Sequence, residues 1–247
     1  MLENIAKRLI NIAPQYGAAV WAVLCRPVSE TTERAKRPGL VVDALAFWLI
    51  SQVLDFIVRL LIFAKTPNTT LYMISRALQE VSVLVGVSLA FTLAAVISGA
   101  RMPVRVVLVA YALISAAALP VQTLLKTAMY APILATSEEL FQEIGNLIFS
   151  CSGLESLAEK LTAFQQALQA GDPLVMALVA YYVVVGLFMF SVTLVYTIAF
   201  LRALGRLSGA TGLRHWALSV LGLLFSGLVL TVVLTSAWMI GRGTGAC

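Results

Sequence analysis

The chain has 247 residues, of which 60% are apolar and 12% charged, and its mean hydropathy is +0.94. Soluble domains are about a quarter charged and less than half apolar, and a 26.5 kDa globule has no interior large enough to hide such an excess. Lipid is therefore the solvent for most of this sequence, which excludes most soluble enzymes, nucleic-acid modules and disordered tails; the net charge of +5 reads as the Lys and Arg excess that orients a membrane protein.

At the start of the chain Leu2, Ile5, Leu9 and Ile12 recur at helical spacing opposite Glu3, Lys7 and Arg8. That pattern predicts an amphipathic helix lying in the membrane interface. A cleaved leader is not expected, because Pro14, Gln15 and Tyr16 interrupt the apolar run and Leu24 stands where a lipoprotein signal needs a small residue before Cys25. Residues 1–39 read as an amphipathic and basic cytoplasmic segment, and 40–247 as a membrane domain.

Five segments exceed the roughly 20 apolar residues that cross a bilayer as helix: Leu40 to Ala64, Ala77 to Gly99, Val104 to Leu125, Leu174 to Leu201 and Trp216 to Ile240. The predicted fold is all-α, a five-helix transmembrane bundle. With the N-terminus inside, the inner connections hold Lys7, Arg8, Arg26, Arg34, Lys36, Arg37, Arg101, Arg105, Arg202, Arg206 and Arg214, eleven cations, against five outside: Lys65, Arg76, Lys126, Lys160 and Arg242. The excess predicts a cytoplasmic N-terminus and an external C-terminus.

The long connection 126–173 carries Glu138, Glu139, Glu143, Glu155, Glu159 and Asp172. It predicts two short amphipathic helices on the outer side. Ser137 caps the first, on which Phe141, Ile144, Leu147 and Ile148 share a face; Leu154, Leu157, Leu161, Phe164 and Leu168 line the second until Gly171 and Pro173 stop it. Such a pair covers the mouth of its own bundle or docks another protein. Cys25, Cys151 and Cys247 are too scattered for a disulfide framework or a thiolate metal site; whether Cys151 and Cys247 pair stays open.

Catalytic signatures fail in turn. His215 is the single histidine, and beside Arg214 and Trp216 at a span end it reads as a solvated interfacial group. No HExxH, GxSxG, Walker lysine loop or CxxC occurs. No enzymatic activity, metal or cofactor is expected.

Charges inside spans are costly unless partnered, and Asp43, Asp55, Arg59 and Glu80 are the four in question. Asp55 and Arg59 are one turn apart on a helix face, and Arg59 and Glu80 fall at similar depth on the outer side, with Gln52 and Gln79 near. The cluster Asp55, Arg59 and Glu80 reads either as a clamp locking the first hairpin or as an ion or proton site. In the second span Ser82, Gly86, Ala90, Ala94 and Ser98 fall at intervals of four, a ridge of small residues that lets another helix approach closely; Ala112 and Ala116, and Ser219, Gly222 and Ser226, offer matching faces. Pro120 predicts a kink in the third span.

The basic, proline-bearing segment Arg26-Pro27 to Arg37-Pro38 before the first span, Ala110-Tyr111-Ala112 and Leu119-Pro120 in the third, and Leu201-Arg202-Ala203-Leu204-Gly205-Arg206-Leu207-Ser208 after the fourth together resemble the Yip domain family of five-span membrane proteins. The resemblance covers residues 20 to 240 and implies a cytoplasmic N-terminus, five helices and no catalytic activity. The acidic and aromatic stretch that eukaryotic members carry before the first span is missing here, so their binding of Rab-type GTPases is not carried over. The leading expectation is a non-enzymatic accessory or scaffolding subunit, partnered by the lipid bilayer and other membrane subunits and not by nucleic acid. The alternatives are a small transporter or channel using the intramembrane charged cluster, and an immunity protein against a membrane toxin.

Overall fold

The computed structural model describes residues 11, 13–37, 40–63, 69–136, 166, 169, 171 and 173–243. Among them are seven α-helices and no strand: α1 (Tyr16–Cys25), α2 (Pro27–Lys36), α3 (Leu40–Phe63), α4 (Thr69–Ile97), α5 (Val104–Thr136), α6 (Pro173–Ser208) and α7 (Gly212–Gly243). The last five are long and apolar enough to cross a bilayer, and they form an all-helical bundle. The pattern at Leu2 to Ile12, the two helices expected between Ser137 and Leu168, and the pair Cys151 and Cys247 lie outside the described residues.

Helix and apolar stretch are not coextensive. Apolarity fixes what lies in lipid, whereas the backbone stays helical until a residue stops it. Thus α4 starts at Thr69 although its apolar run starts at Ala77, and α5 continues through Pro120 and Pro132 to Thr136. Between α4 and α5 the stop is Gly99, at φ 74°. The amide of Ala100 bonds the carbonyl of Ala95 at 2.8 Å and that of Gly99 bonds Val96 at 3.1 Å, the paired closure of a Schellman cap, which needs the left-handed residue that glycine supplies.

Helix α5 is the axis of the bundle. It packs against α1, α2, α3, α4 and α6, and 56% of its apolar stretch is buried against 6% in α6. Its buried residues include Ala110, Ala112, Ala116, Ala117 and Ala118, small side chains that admit several neighbours at short range.

The most extensive helix pairing joins α4 to α7. A Cβ on Gly86 would collide with Val229, and one on Gly222 would collide with the Phe91 ring, so each helix receives a large side chain of the other over a bare backbone. Along the expected ridge, Ala90 and Ala94 are buried, Ser98 is half-buried and Ser82 is exposed.

One element lies away from where composition places it. Residues 1–39 read as a cytoplasmic segment, but α1 packs into the bundle: Val20 joins a core cluster with Phe47, Trp48, Leu113 and Ala116, and Tyr16 packs on it. Its ten residues hold no charge and several small side chains, so burial against α3 and α5 costs no desolvation of ions. Segment 1–39 is thus not wholly separate from the spans. The charged α2 follows, laced by Glu30–Arg34 at 3.2 Å and Glu33–Arg37 at 2.7 Å.

At the end of the bundle where α2 lies, the α4–α5 and α6–α7 turns present Arg101, Arg105, Arg202, Arg206 and Arg214, all exposed. Here His215 departs from the solvated state its position suggests. Gly205 has no Cβ, and the imidazole lies over its backbone close enough that a Cβ would sit 2.7 Å from Nδ1; that nitrogen is buried with no hydrogen-bond partner among the described residues.

Candidate functional site: an intramembrane cavity

A cavity of about 330 Å³ opens inside the bundle, lined by residues of all five long helices. Ligand pockets begin at about this size. Its inner end is aromatic. Phe91 and Phe200 meet edge to face with centroids 4.9 Å apart, and Tyr111 meets Phe200 at 5.6 Å; Trp48 completes the wall.

The polar side chains sort along the axis. At 1.5 Å per helical residue, Phe91, Tyr111 and Phe200 stand about 9–12 Å from the basic ends of their helices, Ser226 about 21 Å, Glu80 about 25 Å and Lys126 about 33 Å. The cavity therefore runs from an aromatic floor to a rim bearing a carboxylate and an ammonium, with Gln52 and Gln122 also in its wall. Thr193 and Thr197, one turn apart on α6, add hydroxyls.

Ser226 differs from three other hydroxyls of its own helix. Ser219, Thr231 and Thr235 on the same helix each donate to the carbonyl of the residue four before, at 2.7–2.9 Å. Ser226 is 7% exposed, lines the cavity, and its Oγ has no hydrogen-bond partner among the described residues. Leaving a buried hydroxyl unpaired costs about 1–3 kcal/mol, so a serine kept in the cavity wall in this state is informative.

The expected charged cluster is distributed as follows. Glu80 lines the cavity. Asp55 is buried and accepts a hydrogen bond from the Thr123 hydroxyl of α5. The Arg59 side chain lies outside the described residues. Helices α3 and α4 touch only sparingly, while α3 packs along α5, so the bond shown for Asp55 ties the first span to the third. Asp43 stands in the first turn of α3, where a carboxylate complements the helix dipole. Among the described residues no group of three His, Cys, Asp or Glu side chains is placed to hold a metal.

Sequence reasoning passes over Ser115, Gln122, Thr193 and Thr197, and reads Lys126 as part of the outer connection. A signal was present: Tyr111, Ser115, Ala118, Gln122 and Lys126 recur at four, three, four and four, one face of one helix, four of them polar in an otherwise apolar span.

The chain is a multi-pass α-helical membrane protein with a partly polar chamber in its bundle. Comparison with known proteins gives no match to a family model, a curated protein or a solved structure.

Proposed function

We propose that this membrane protein holds a small polar or amphiphilic molecule within its bundle, as a transporter-type binding protein without covalent catalysis. The observation that carries this reading is the buried Ser226 hydroxyl, unpartnered among the described residues, in the wall of a cavity whose rim contains Glu80 and Lys126. Polar groups inside a membrane bundle are retained at a cost, and mark solute pathways where they converge on a cavity. The Lys and Arg excess at the opposite end, by the positive-inside rule, orients the rim outward and the α2 end to the cytoplasm of a bacterial inner membrane.

The test is Ser226→Cys in a background lacking Cys25, Cys151 and Cys247. A membrane-impermeant charged methanethiosulfonate reagent, added to protein in vesicles, labels the new thiol if the cavity takes up polar molecules. Complete resistance to labelling in folded protein overturns the reading.

A second reading, a Yip-type accessory subunit, is favoured by α6, whose apolar stretch is only 6% buried. Purification in mild detergent with mass spectrometry of the co-eluting chains tests it: a stoichiometric second membrane chain supports it, and a clean monomer overturns it.

A further inference from the structure

Helices α6 and α7 are consecutive, yet they pack on different partners, α6 on α5 and α2, α7 on α4. They meet near their shared turn, where Phe200 and Leu204 join Leu218 in one cluster and His215 covers Gly205. Further from the turn, Thr193 of α6 and Leu223 and Leu230 of α7 line the cavity and are at the same time among the exposed residues. A residue that does both marks a slot through the wall, and in a membrane that wall faces acyl chains.

Resting on the cavity reading above, we propose that the ligand is a membrane-dissolved amphiphile that enters sideways through the slot between α6 and α7. The lining matches such a molecule. A head group with hydrogen-bonding and charged atoms lies toward Gln122, Glu80 and Lys126, and an apolar body lies against Phe91, Phe200 and Trp48. About 330 Å³ accommodates a head group and a short apolar stretch, not two whole acyl chains, so the remainder of a lipid-sized ligand stays in the slot. A solute confined to water has no use for a lipid-facing opening flanked by Leu223 and Leu230.

Trp48, in the cavity wall and 7% exposed, is the reporter. In a full-length variant with Trp21, Trp216 and Trp238 changed to Phe, reconstituted into phosphatidylcholine vesicles whose acyl chains are brominated, Trp48 emission is quenched at least twofold relative to unbrominated vesicles. Adding Thr193→Phe to narrow the slot removes most of that quenching. Absence of quenching by bromolipid, or quenching untouched by Thr193→Phe, overturns the lateral route. Aqueous iodide separates the two readings: quenching by iodide with none by bromolipid leaves a water-borne solute in the cavity and refutes the amphiphile, whereas quenching by neither refutes both. Should the single-tryptophan protein fail to fold, native mass spectrometry of the unmodified chain from phosphatidylcholine vesicles decides: a retained lipid lost on Thr193→Phe supports the proposal, and retention indifferent to that change overturns it.

Discussion

The Tyr16 hydroxyl lies 2.6 Å from Ser51 Oγ, and Ser51 is the twelfth of the 24 residues of α3. A residue ahead of the first span thus bonds to the middle of that span. Ser51 also lies 2.8 Å from the Ala116 carbonyl, to which it donates. Its single proton being so committed, Tyr16 is the donor to Ser51, and the relay Tyr16 to Ser51 to Ala116 ties α1, α3 and α5 together at the bundle centre.

Tyr16→Phe removes only the outer link and keeps the ring contact with Phe47 at 5.1 Å; a loss of about 0.5–1.5 kcal/mol is expected. Ser51→Ala removes both links of the relay and strands the half-buried phenol, and is expected to cost about 1–3 kcal/mol. Reversible unfolding in mixed micelles measures both. A Tyr16→Phe cost equal to or above that of Ser51→Ala contradicts the relay order.

The α4–α7 seam predicts a second asymmetry. Phe91 is 2% exposed and locked edge to face with Phe200, so it has nowhere to move when Gly222 gains a methyl group. Gly222→Ala is expected to destabilise by about 1–3 kcal/mol through overpacking, whereas Gly227→Ala, with open space around its Cβ position, is expected to be neutral or stabilising as alanine favours helix. Combining Gly222→Ala with Phe91→Leu should cost less than the two single changes added together, since the second relieves the clash made by the first.

How much of this is legible in the sequence depends on which physical quantity each feature rests on. The five spans follow from apolarity summed over some twenty residues, so the assignment holds even where helix ends such as Thr69 or Thr136 extend beyond the apolar run. Insertion of α1 rests on the absence of charge over ten residues, too short to register as a span and visible only once α3 and α5 provide a surface. A charged residue in an apolar span stands out singly, as Glu80 does; Gln122 and Ser115 gain meaning only from sharing a face with Tyr111 and Lys126. The partner shown for Asp55, Thr123, is 68 residues away, beyond any local rule of spacing.

That bond supplies a third prediction. Asp55 sits at 8% exposure and takes a proton donor from Thr123. Thr123→Val keeps the shape and removes the donor, and a cost of about 1.5–3 kcal/mol is expected for losing a hydrogen bond to a charged group. Asp55→Asn retains an oxygen that accepts from Thr123 and removes the charge that burial penalises, so it is expected to cost less. Unfolding midpoints of the two variants at equal lipid composition decide the order. If Asp55→Asn is the more damaging, the carboxylate charge matters through a group other than Thr123, and a double change with Arg59→Gln then shows whether Arg59 is that group.

Ser226 and Ser219 lie on the same helix, seven residues apart, and call for opposite outcomes. Ser219 Oγ donates to the His215 carbonyl at 2.9 Å, so Ser219→Ala deletes a made bond and is expected to be neutral or to destabilise by a few tenths of a kcal/mol. Ser226→Ala deletes a buried hydroxyl that has no partner among the described residues, so the empty protein is expected to gain stability, by up to about 1 kcal/mol. A ligand that bonds this hydroxyl reverses the sign in its presence: with the cavity filled, Ser226→Ala is expected to lose three- to tenfold in affinity, about 0.7–1.4 kcal/mol at 1.4 kcal/mol per factor of ten. Unfolding midpoints in lipid-free detergent and in phosphatidylcholine-containing micelles measure the two states. A serine kept only for packing would give the same shift in both, because nothing in the cavity would then touch its oxygen.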